Sequence, residues 1–398
     1  MTNPWGELTG VKPVKLTREL FKGNPYNGRQ PHEKQEVRRI LMEERGLSPE
    51  KANLLIEIYE YQQRILGGEK YTSAGLYIGI PFCPTRCLYC SFTSNQKPYK
   101  EVERYLQALI REVEYVGRRC RETGLDIETI YIGGGTPTTL DCGQLERLLD
   151  VVLHNFDLCK LTEFTLEAGR PDTITSEKLK IAKEHGVDRI SINPQTLKQE
   201  TLDLIGRRHT VDQFRECFRL ARSLGFDNIN TDLIAGLPNE TADDMRRTME
   251  GIRELSPDDV TIHSLALKRA SRLNTRREDY ADVRYGSASD MITLAAEYCS
   301  SMGLHPYYLY RQKNMAGNLE NVGWCRPGRE GLYNILIMEE LQTIVGAGAG
   351  TTTRVMFPEE NRYERAENVK DPLLYVQKAE DMAERKRRLI SDWTGKYR

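Results

Sequence analysis

Short apolar segments alternate with amphipathic segments through the middle of the chain, and this alternation is its clearest pattern. The apolar segments have the length and composition of buried strands: Leu76–Ile80, Thr129–Ile132, Glu163–Leu166, Arg189–Ile192, Asn228–Leu233 and Val260–Leu265. The intervening segments have helical spacing, as in Val102–Arg118, whose apolar residues fall on one stripe. Strands and helices in alternation are typical of a parallel sheet covered by helices.

A weak internal repeat supports this interpretation. A glycine stands between a helical segment and an apolar residue at Gly186, Gly225 and Gly303, with spacings of 39 and 78 residues. Glycine after the last helical turn provides the left-handed cap that leads the chain into the next strand. Six units of about 40 residues predict an α/β fold, a partial (β/α)6 TIM-like barrel of parallel strands with its site at their carboxyl ends.

The pattern changes on both sides of this region. Residues 1–70 are polar with helical spacing over Pro31–Glu44 and Ser48–Leu66, and Ser48 before Pro49 is a typical helix start. Beyond about residue 275 the regularity weakens, and a Gly/Ala/Thr stretch precedes a charged, helical tail. We predict an N-terminal helical cap over residues 1–70, the barrel over 71–275, and a mostly helical C-terminal accessory region over 276–398.

Composition and charge narrow the classes of partner. The chain has 57 Lys and Arg residues against 58 Asp and Glu residues, so no overall field attracts nucleic acid or an anionic membrane. No stretch approaches the ~20 apolar residues that span a bilayer. The first residues lack the basic start and apolar run of a secretory signal. We therefore expect a cytoplasmic protein without nucleic-acid or membrane partners.

Three of the nine cysteines are clustered. Cys83, Cys87 and Cys90 form a C-x3-C-x2-C run directly after the first predicted strand. Three thiolates on one loop can hold three irons of a cubane cluster, which leaves the fourth iron open to a bidentate amino-acid ligand. The other cysteines are scattered and are interpreted as small buried residues, except Cys325, which stays unassigned.

Two other interpretations of the cysteines are weaker. Structural zinc requires four ligands, and the nearest histidines in the sequence are His32 and His154. A redox pair of Cys87 and Cys90 gives Cys83 no role. An iron–sulfur cluster is therefore the favoured hypothesis.

At these residues the sequence resembles the radical S-adenosylmethionine (SAM) superfamily, with Tyr89 and Phe92 as the aromatic residues near the last cysteine. Further segments resemble the oxygen-independent coproporphyrinogen III dehydrogenase family: Tyr77–Cys83, Tyr131–Pro137, Ser191–Gln195 and Asp232–Pro238. Its HemZ-type branch is most similar at Trp5–Pro13, Glu167–Asp172 and Tyr308–Lys313. The chain departs from the best-known members at Gly79 and Ser91, where they carry His and Cys.

The resemblance implies a [4Fe-4S] cluster on the three cysteines and one or two SAM molecules. It places the cofactor contacts at Tyr77, Tyr89, Gly133, Gly134, Gly135, Thr136, Glu167, Gln195, Arg207 and Asp232, with Ala266 near a second SAM. The residue types alone are less specific. The glycine-rich turn lacks the G-x-G-x-x-G spacing, and polar residues at strand ends can equally cap or bond loops.

The resemblance also implies a tetrapyrrole substrate that carries propionates. Guanidinium groups bind carboxylates bidentately, and a cationic patch could include Arg170, Lys268, Arg269, Arg272, Arg311 and Lys313, although solvated surface is the usual fate of such residues. We select Arg170 and Arg311 as candidate substrate contacts. Tyr307, Tyr308 and Tyr310 could flank a flat ring, and we expect at least one of them to pack in the core instead.

The implied activity is that of an oxidoreductase. It is the oxidative decarboxylation of coproporphyrinogen III to protoporphyrinogen IX through a 5′-deoxyadenosyl radical, with a low-potential electron donor such as flavodoxin or ferredoxin. No catalytic side chain is assigned. Two alternatives remain: a methyltransferase or cyclopropanase of the same superfamily, and a haem-binding chaperone that kept the cluster.

Overall fold

A sheet at the centre of the molecule organises the fold. The computed structural model describes residues 3–8, 12–24, 28–66, 73–90, 95–266, 271, 286–312, 316–357 and 362–397. Within these ranges the sheet contains eleven strands, β1 (Ser73–Ile80), β2 (Asp126–Gly134), β3 (Glu163–Gly169), β4 (Arg189–Ile192), β5 (Ile229–Ala235), β6 (Asp259–Ser264), β7 (His305–Tyr310), β8 (Asn321–Cys325), β9 (Thr343–Ala347), β10 (Thr352–Phe357) and β11 (Arg362–Glu367).

The strand order is β11-β10-β9-β1-β2-β3-β4-β5-β6-β8-β7. β1 to β6 pair in parallel in chain order, which confirms the six predicted strands and the partial-barrel arrangement. β9 adds a further parallel strand beside β1, whereas β8 and β10 join the sheet antiparallel. Strands buried on both faces consist of nearly continuous apolar residues, which explains the short apolar runs in the sequence.

Helices cover the sheet and connect its strands. Their bounds are α1 (Pro13–Lys22), α2 (Lys34–Arg39), α3 (Pro49–Leu66), α4 (Tyr99–Thr123), α5 (Cys142–Asn155), α6 (Ser176–Glu184), α7 (Gln199–Leu204), α8 (Val211–Ser223), α9 (Ala242–Leu255), α10 (Ala288–Ser301), α11 (Leu332–Glu339) and α12 (Pro372–Tyr397). α2 continues as a π-helical turn over Ile40–Glu44. Within the described ranges, no helix combines the length and apolar character that a bilayer crossing requires.

Local sequence signals fix where these helices begin and end. Asp141, Thr210 and Thr241 form capping boxes at the starts of α5, α8 and α9, and each box satisfies two free backbone donors. Gly186 and Gly225 follow α6 and α8 with φ angles of 82° and 83°, as the repeat predicts. The helices therefore return the chain to the same end of the sheet after each strand.

The C-terminal region completes both edges of the sheet. It was expected to be mostly helical, and besides α10, α11 and α12 it also supplies the five strands β7 to β11. The sequence signal for these strands is weak. β9 and β10 flank a Gly/Ala/Thr turn, and β11 is charged and largely exposed. Consequently, the strands at both edges of the sheet come from the C-terminal region and not from the six-stranded barrel.

Candidate functional site

A cavity of about 600 Å³ opens at the carboxyl ends of the parallel strands. Most of the residues predicted for the site lie on its wall: Tyr77, Cys83, Cys87, Tyr89, Cys90, Gly134, Gly135, Thr136, Glu167, Arg170, Gln195, Arg207, Asp232 and Ala266. The C-terminal region closes one side with Tyr333 on α11 and with Gly350 and Thr351 in the turn between β9 and β10. Side chains that are distant in sequence thus converge on one enclosed space.

The cysteine loop is held in place by backbone hydrogen bonds. The amide of Cys83 donates to the carbonyl of Asn95 at 3.1 Å, and that of Leu88 donates to Ile205 at 3.0 Å. The Cys83 thiol lies 3.4 Å from the hydroxyl of Thr136 on the glycine-rich turn. Burial raises the pKa of Cys83 to about 11. The loop therefore presents its three thiols to the cavity from a fixed backbone.

Arg170 lies on the cavity wall and supports the cysteine loop, with each of its three guanidinium nitrogens bonded to a protein partner. Its side chain is buried and donates two hydrogen bonds to Asp172, with N–O distances of 2.9 and 2.8 Å. Its remaining terminal nitrogen donates to the hydroxyl of Thr85 at 2.6 Å and lies 3.9 Å from the sulfur of Cys87. The structure thus gives Arg170 partners within the protein at every guanidinium nitrogen, and its selection as a propionate ligand stays a prediction.

Arg311 lies outside the cavity wall, which corrects its selection as a substrate contact. Its guanidinium donates to the carbonyl of Leu8 and to the side chain of Asn318, and it stacks over the ring of Trp5 at 4.7 Å. It thus fastens the N-terminal segment onto the end of β7. The other members of the expected cationic patch, Lys268, Arg269, Arg272 and Lys313, lie outside the described residues, as do Phe92 and Ser91.

The glycine-rich turn packs too closely for side chains. A Cβ at Gly135 would lie 2.5 Å from the carbonyl oxygen of Phe82, and one at Gly133 would lie 2.6 Å from Glu167 Oε2. Gly133 does not reach the cavity wall itself and allows Glu167 to approach. The amides of Gly135 and Thr136 donate to β1 and to the start of the cysteine loop at 2.8 Å each. The turn and the loop consequently form one rigid unit.

The family's histidine position at Gly79 is sterically closed in this chain. A Cβ there would lie 2.7 Å from the methyl group of Thr351. The neighbouring turn approaches equally closely, since a Cβ at Gly348 would lie 2.4 Å from the carbonyl oxygen of Gly79. Thr351 therefore occupies the space into which a side chain at position 79 would project.

Two acidic side chains on the wall have different protonation behaviour. Burial, together with the charge of Asp232, raises the pKa of Glu167 to about 8, and its carboxylate accepts from the amide of Gly134 at 3.3 Å. Burial also acts to raise the pKa of Asp232, but the donors His263 and Asn230 outweigh it and the pKa lies below its ordinary value. The raised pKa favours the protonated form of Glu167, whereas the lowered pKa of Asp232 favours its ionised form.

Gln195 and Arg207 are fixed by the backbone around them. Gln195 has a φ of 72°, unusual for a residue other than glycine, and its amide donates to the carbonyl of Asp232 at 3.0 Å. Arg207 donates to the carbonyl of Asn193 and contacts Tyr89 in the cysteine loop. Strain of this kind at a cavity wall indicates a position held for function.

Aromatic side chains form much of the remaining wall, and two of them, Tyr131 and Tyr333, were not among the predicted site residues. Tyr77, Tyr131 and Tyr333 stack in a group with ring centroids 4.9–6.1 Å apart, and Tyr308 stacks on Tyr310 at 6.3 Å. Tyr307 packs in the interior, as expected for one of that group, and donates to Asp259 at 2.7 Å. The alternation of side-chain direction along β2 was the available signal for Tyr131. The same alternation along β7 places Tyr308 and Tyr310 on one face of that strand.

His263 is another wall residue that the sequence analysis did not select. It stands one residue before the end of β6, and its ring nitrogens lie 3.6 Å from the Asp232 carboxylate and 3.3 Å from the hydroxyl of Tyr310. Alternation along β6 could have identified it, because Thr261, two residues earlier, also faces the cavity. A histidine in a predicted strand carries no chemical motif of its own.

The chain is similar to proteins of the radical SAM superfamily in both sequence and fold. The family model of the radical SAM superfamily matches residues 77–252. HemZ of Bacillus subtilis, an oxygen-independent coproporphyrinogen-III oxidase-like protein, is 38% identical over 97% of this chain and 77% of its own length. The haem chaperone HemW of Escherichia coli is 27% identical over 77% of both chains. The structure of coproporphyrinogen III oxidase (HemN) from Escherichia coli shares the fold, with a TM-score of 0.63 at 24% identity over 79% of this chain and 70% of that one.

Proposed function

The chain belongs to the radical SAM superfamily and, within it, to the coproporphyrinogen III oxidase-like proteins that include HemZ, and on this premise we propose that it converts coproporphyrinogen III to protoporphyrinogen IX. The observation that carries the proposal is the match to HemZ over nearly the whole chain. Radical SAM proteins use a [4Fe-4S] cluster and SAM, and this protein uses both.

The residues on the wall fit these two groups. Cys83, Cys87 and Cys90 border the cavity, whereas the other six cysteines, all of them described, do not line it. Three thiolates leave one iron without a protein ligand, so that a small bidentate ligand can reach it. We assign the cluster to these three cysteines. When bound, the cluster and SAM supply hydrogen-atom abstraction.

The chain's own residues bind and orient the cofactor in this proposal. Backbone groups of Gly134 and Gly135 approach the methionine end, and Asp232 accepts hydrogen bonds from the ribose hydroxyls because an ionised carboxylate has several free lone pairs. The protonated carboxyl of Glu167 can donate a hydrogen bond as well as accept one. Gln195, Arg207 and Tyr89 are further proposed contacts of SAM, and Ala266, also on the cavity wall, is proposed to lie near a second SAM.

The substrate is proposed to lie against Tyr308 and Tyr310. Each reacting propionate gives one hydrogen atom to the 5′-deoxyadenosyl radical, releases CO2 and one electron, and becomes a vinyl group. The released electron balances the one consumed in cleaving SAM, so no further oxidant is required. A low-potential donor such as flavodoxin or ferredoxin supplies the electron that starts each cycle. The aromatic wall excludes water and oxygen from the reacting carbon, which is the main work left to the protein when the cofactor carries the chemistry.

One anaerobic assay tests the reaction. Reconstituted protein is incubated with SAM, a reductant and coproporphyrinogen III, and the products are identified by mass spectrometry. We expect protoporphyrinogen IX together with 5′-deoxyadenosine. A methylated or cyclopropanated product would contradict the decarboxylase proposal.

A haem chaperone is the second candidate, because the HemW proteins are relatives of this chain. The B. subtilis HemW is 38% identical over 48% of this chain. Arg311, one of the two residues selected for a propionate-bearing substrate, also lies outside the cavity wall. Stoichiometric haem binding without release of 5′-deoxyadenosine would favour this candidate over the decarboxylase.

The cofactor assignment makes a prediction about affinity. Asp232→Ala and Glu167→Ala are expected to weaken SAM binding, because a hydrogen bond to a charged group is worth about 1.5–3 kcal/mol, or roughly 10- to 150-fold in affinity for Asp232. Iron and sulfide content should stay unchanged. Equilibrium dialysis of reconstituted variants measures the effect, and wild-type affinity in both would contradict the assignment.

A further inference from the structure

His263 and Asp232 face each other across neighbouring strands of the cavity wall. β5 and β6 pair in parallel with Asp232 opposite Thr261 and Ile234 opposite His263. Side chains at alternate positions of a strand share one face, so Asp232 and His263 project to the same side one step apart. Both line the cavity, and the His263 side chain is 25% exposed.

The imidazole has a defined partner at each nitrogen. Nε2 lies 3.6 Å from Asp232 Oδ2, and Nδ1 lies 3.3 Å from the hydroxyl of Tyr310, against whose ring the imidazole packs edge to face. A neutral imidazole has one donor and one acceptor nitrogen. The tautomer that carries the proton on Nε2 suits both contacts, because the Tyr310 hydroxyl then donates to Nδ1 and the N–H is directed at the carboxylate.

The carboxylate of Asp232 is held from two sides as a result. Oδ1 accepts from the amide nitrogen of Asn230 at 2.8 Å, while Oδ2 has His263 as its neighbour. The Asn230 side chain donates to Oδ1, and the His263 imidazole lies beside Oδ2 at a distance longer than a hydrogen bond, so the two neighbours together restrict the orientation of the carboxylate and leave lone pairs for the cavity. In such an arrangement one side chain sets the orientation of a second side chain, and only the second contacts the bound ligand.

We propose that His263 is a positioning residue that orients the Asp232 carboxylate toward the ribose hydroxyls of SAM. The inference rests on the cofactor assignment of Asp232 made above. It gives a role to a cavity residue that the cluster, the glycine-rich turn and the aromatic wall leave without one. Tyr310 contributes to this arrangement, because a hydroxyl that donates to Nδ1 favours the tautomer with the proton on Nε2.

The test compares SAM affinity in variants at His263 and Asp232. His263→Phe keeps a ring against Tyr310 and removes both nitrogens, and it should weaken SAM binding by roughly 3- to 30-fold, a range set by hydrogen bonds to neutral and to charged partners. His263→Gln has a donor and an acceptor, and its affinity should recover to within about 3-fold of wild type. SAM is measured on reconstituted, unreduced protein by equilibrium dialysis, so no turnover is involved.

A double-mutant cycle separates positioning from direct contact. If His263 acts through the carboxylate, adding His263→Phe to Asp232→Ala should change SAM affinity by less than about 2-fold. His305→Phe is the matched control, because it preserves a ring stacked on Tyr61 at the exposed start of β7. Its SAM affinity should equal that of wild type.

The outcomes distinguish this inference from the proposed function. Wild-type affinity in His263→Phe, with weak binding in Asp232→Ala, would overturn the positioning role and leave the cofactor assignment standing. A loss that persists in the Asp232→Ala background would also overturn it, because the histidine would then contact the ligand directly. No effect of Asp232→Ala would refute the assignment on which both rest. Coproporphyrinogen turnover does not enter the measurement.

Discussion

Alanine in place of Cys83, Cys87 or Cys90 is expected to abolish the iron–sulfur cluster. Each substitution leaves one iron of the cubane without a protein thiolate, and the only other ligand at the site is a dissociable small molecule. Iron, sulfide and the charge-transfer absorption should fall to background after anaerobic reconstitution of each single variant.

Cys159→Ala is the matched control for these variants. Cys159 is exposed and remote from the cavity wall, and its replacement should leave cluster content unchanged. The same result is expected for Cys120, Cys142, Cys217 and Cys299. Full cluster loading in Cys87→Ala would show that the three-cysteine assignment is wrong.

Replacement of Lys386 by Met is expected to destabilise the fold by about 3–5 kcal/mol. Lys386 on α12 and Glu112 on α4 form a fully buried ion pair, and the lysine also donates to the carbonyl of Gly346 on β9. Glu112 accepts in addition from the amide of Gly348 at 2.7 Å and from Asn368 at 2.9 Å. Removing the lysine leaves a buried carboxylate without its cation.

Urea unfolding under argon at pH 7 measures this effect as a fall in the unfolding midpoint. Lys378→Met on the exposed face of the same helix is the control, and it should change the free energy of unfolding by less than about 0.5 kcal/mol. The double variant Glu112→Gln, Lys386→Met should recover much of the stability because no charge remains buried. Equal midpoints for Lys386→Met and wild type would contradict the buried-pair argument.

The same pair has a consequence for the cavity. Through Gly346 and Gly348 it holds the turn that carries Thr351 against Gly79, directly before the cysteine loop. A C-terminal helix thereby fixes a wall of the proposed cofactor site. No sequence motif indicates this ion pair, because Glu112 and Lys386 are 274 residues apart.

Whether a candidate residue reached the cavity depended on how it was selected from the sequence. The cysteine loop, the glycine-rich turn, Glu167 on β3 and Asp232 on β5 all reach the cavity. Arg170 and Arg311 were selected by charge and by position near a strand end, which does not determine where a long side chain points. Asp172, two residues along the chain, and Thr85 accept from Arg170, and the carbonyl of Leu8 accepts from Arg311. Of these partners, Thr85 and Leu8 are brought close only by packing.

Local sequence patterns were enough to predict the six parallel strands, the glycine caps between the units and the loop that carries the three cysteines. These features depend on neighbours within a few residues, where apolar period, capping side chains and left-handed glycine act directly on the backbone. Three features could be recognised only in the folded protein: the strands added by the C-terminal region, the position of Thr351 beside Gly79, and the proximity of His263 to Asp232. Such contacts join residues whose proximity depends on how all the elements pack, because a burial pattern specifies that a side chain is covered and leaves open what covers it.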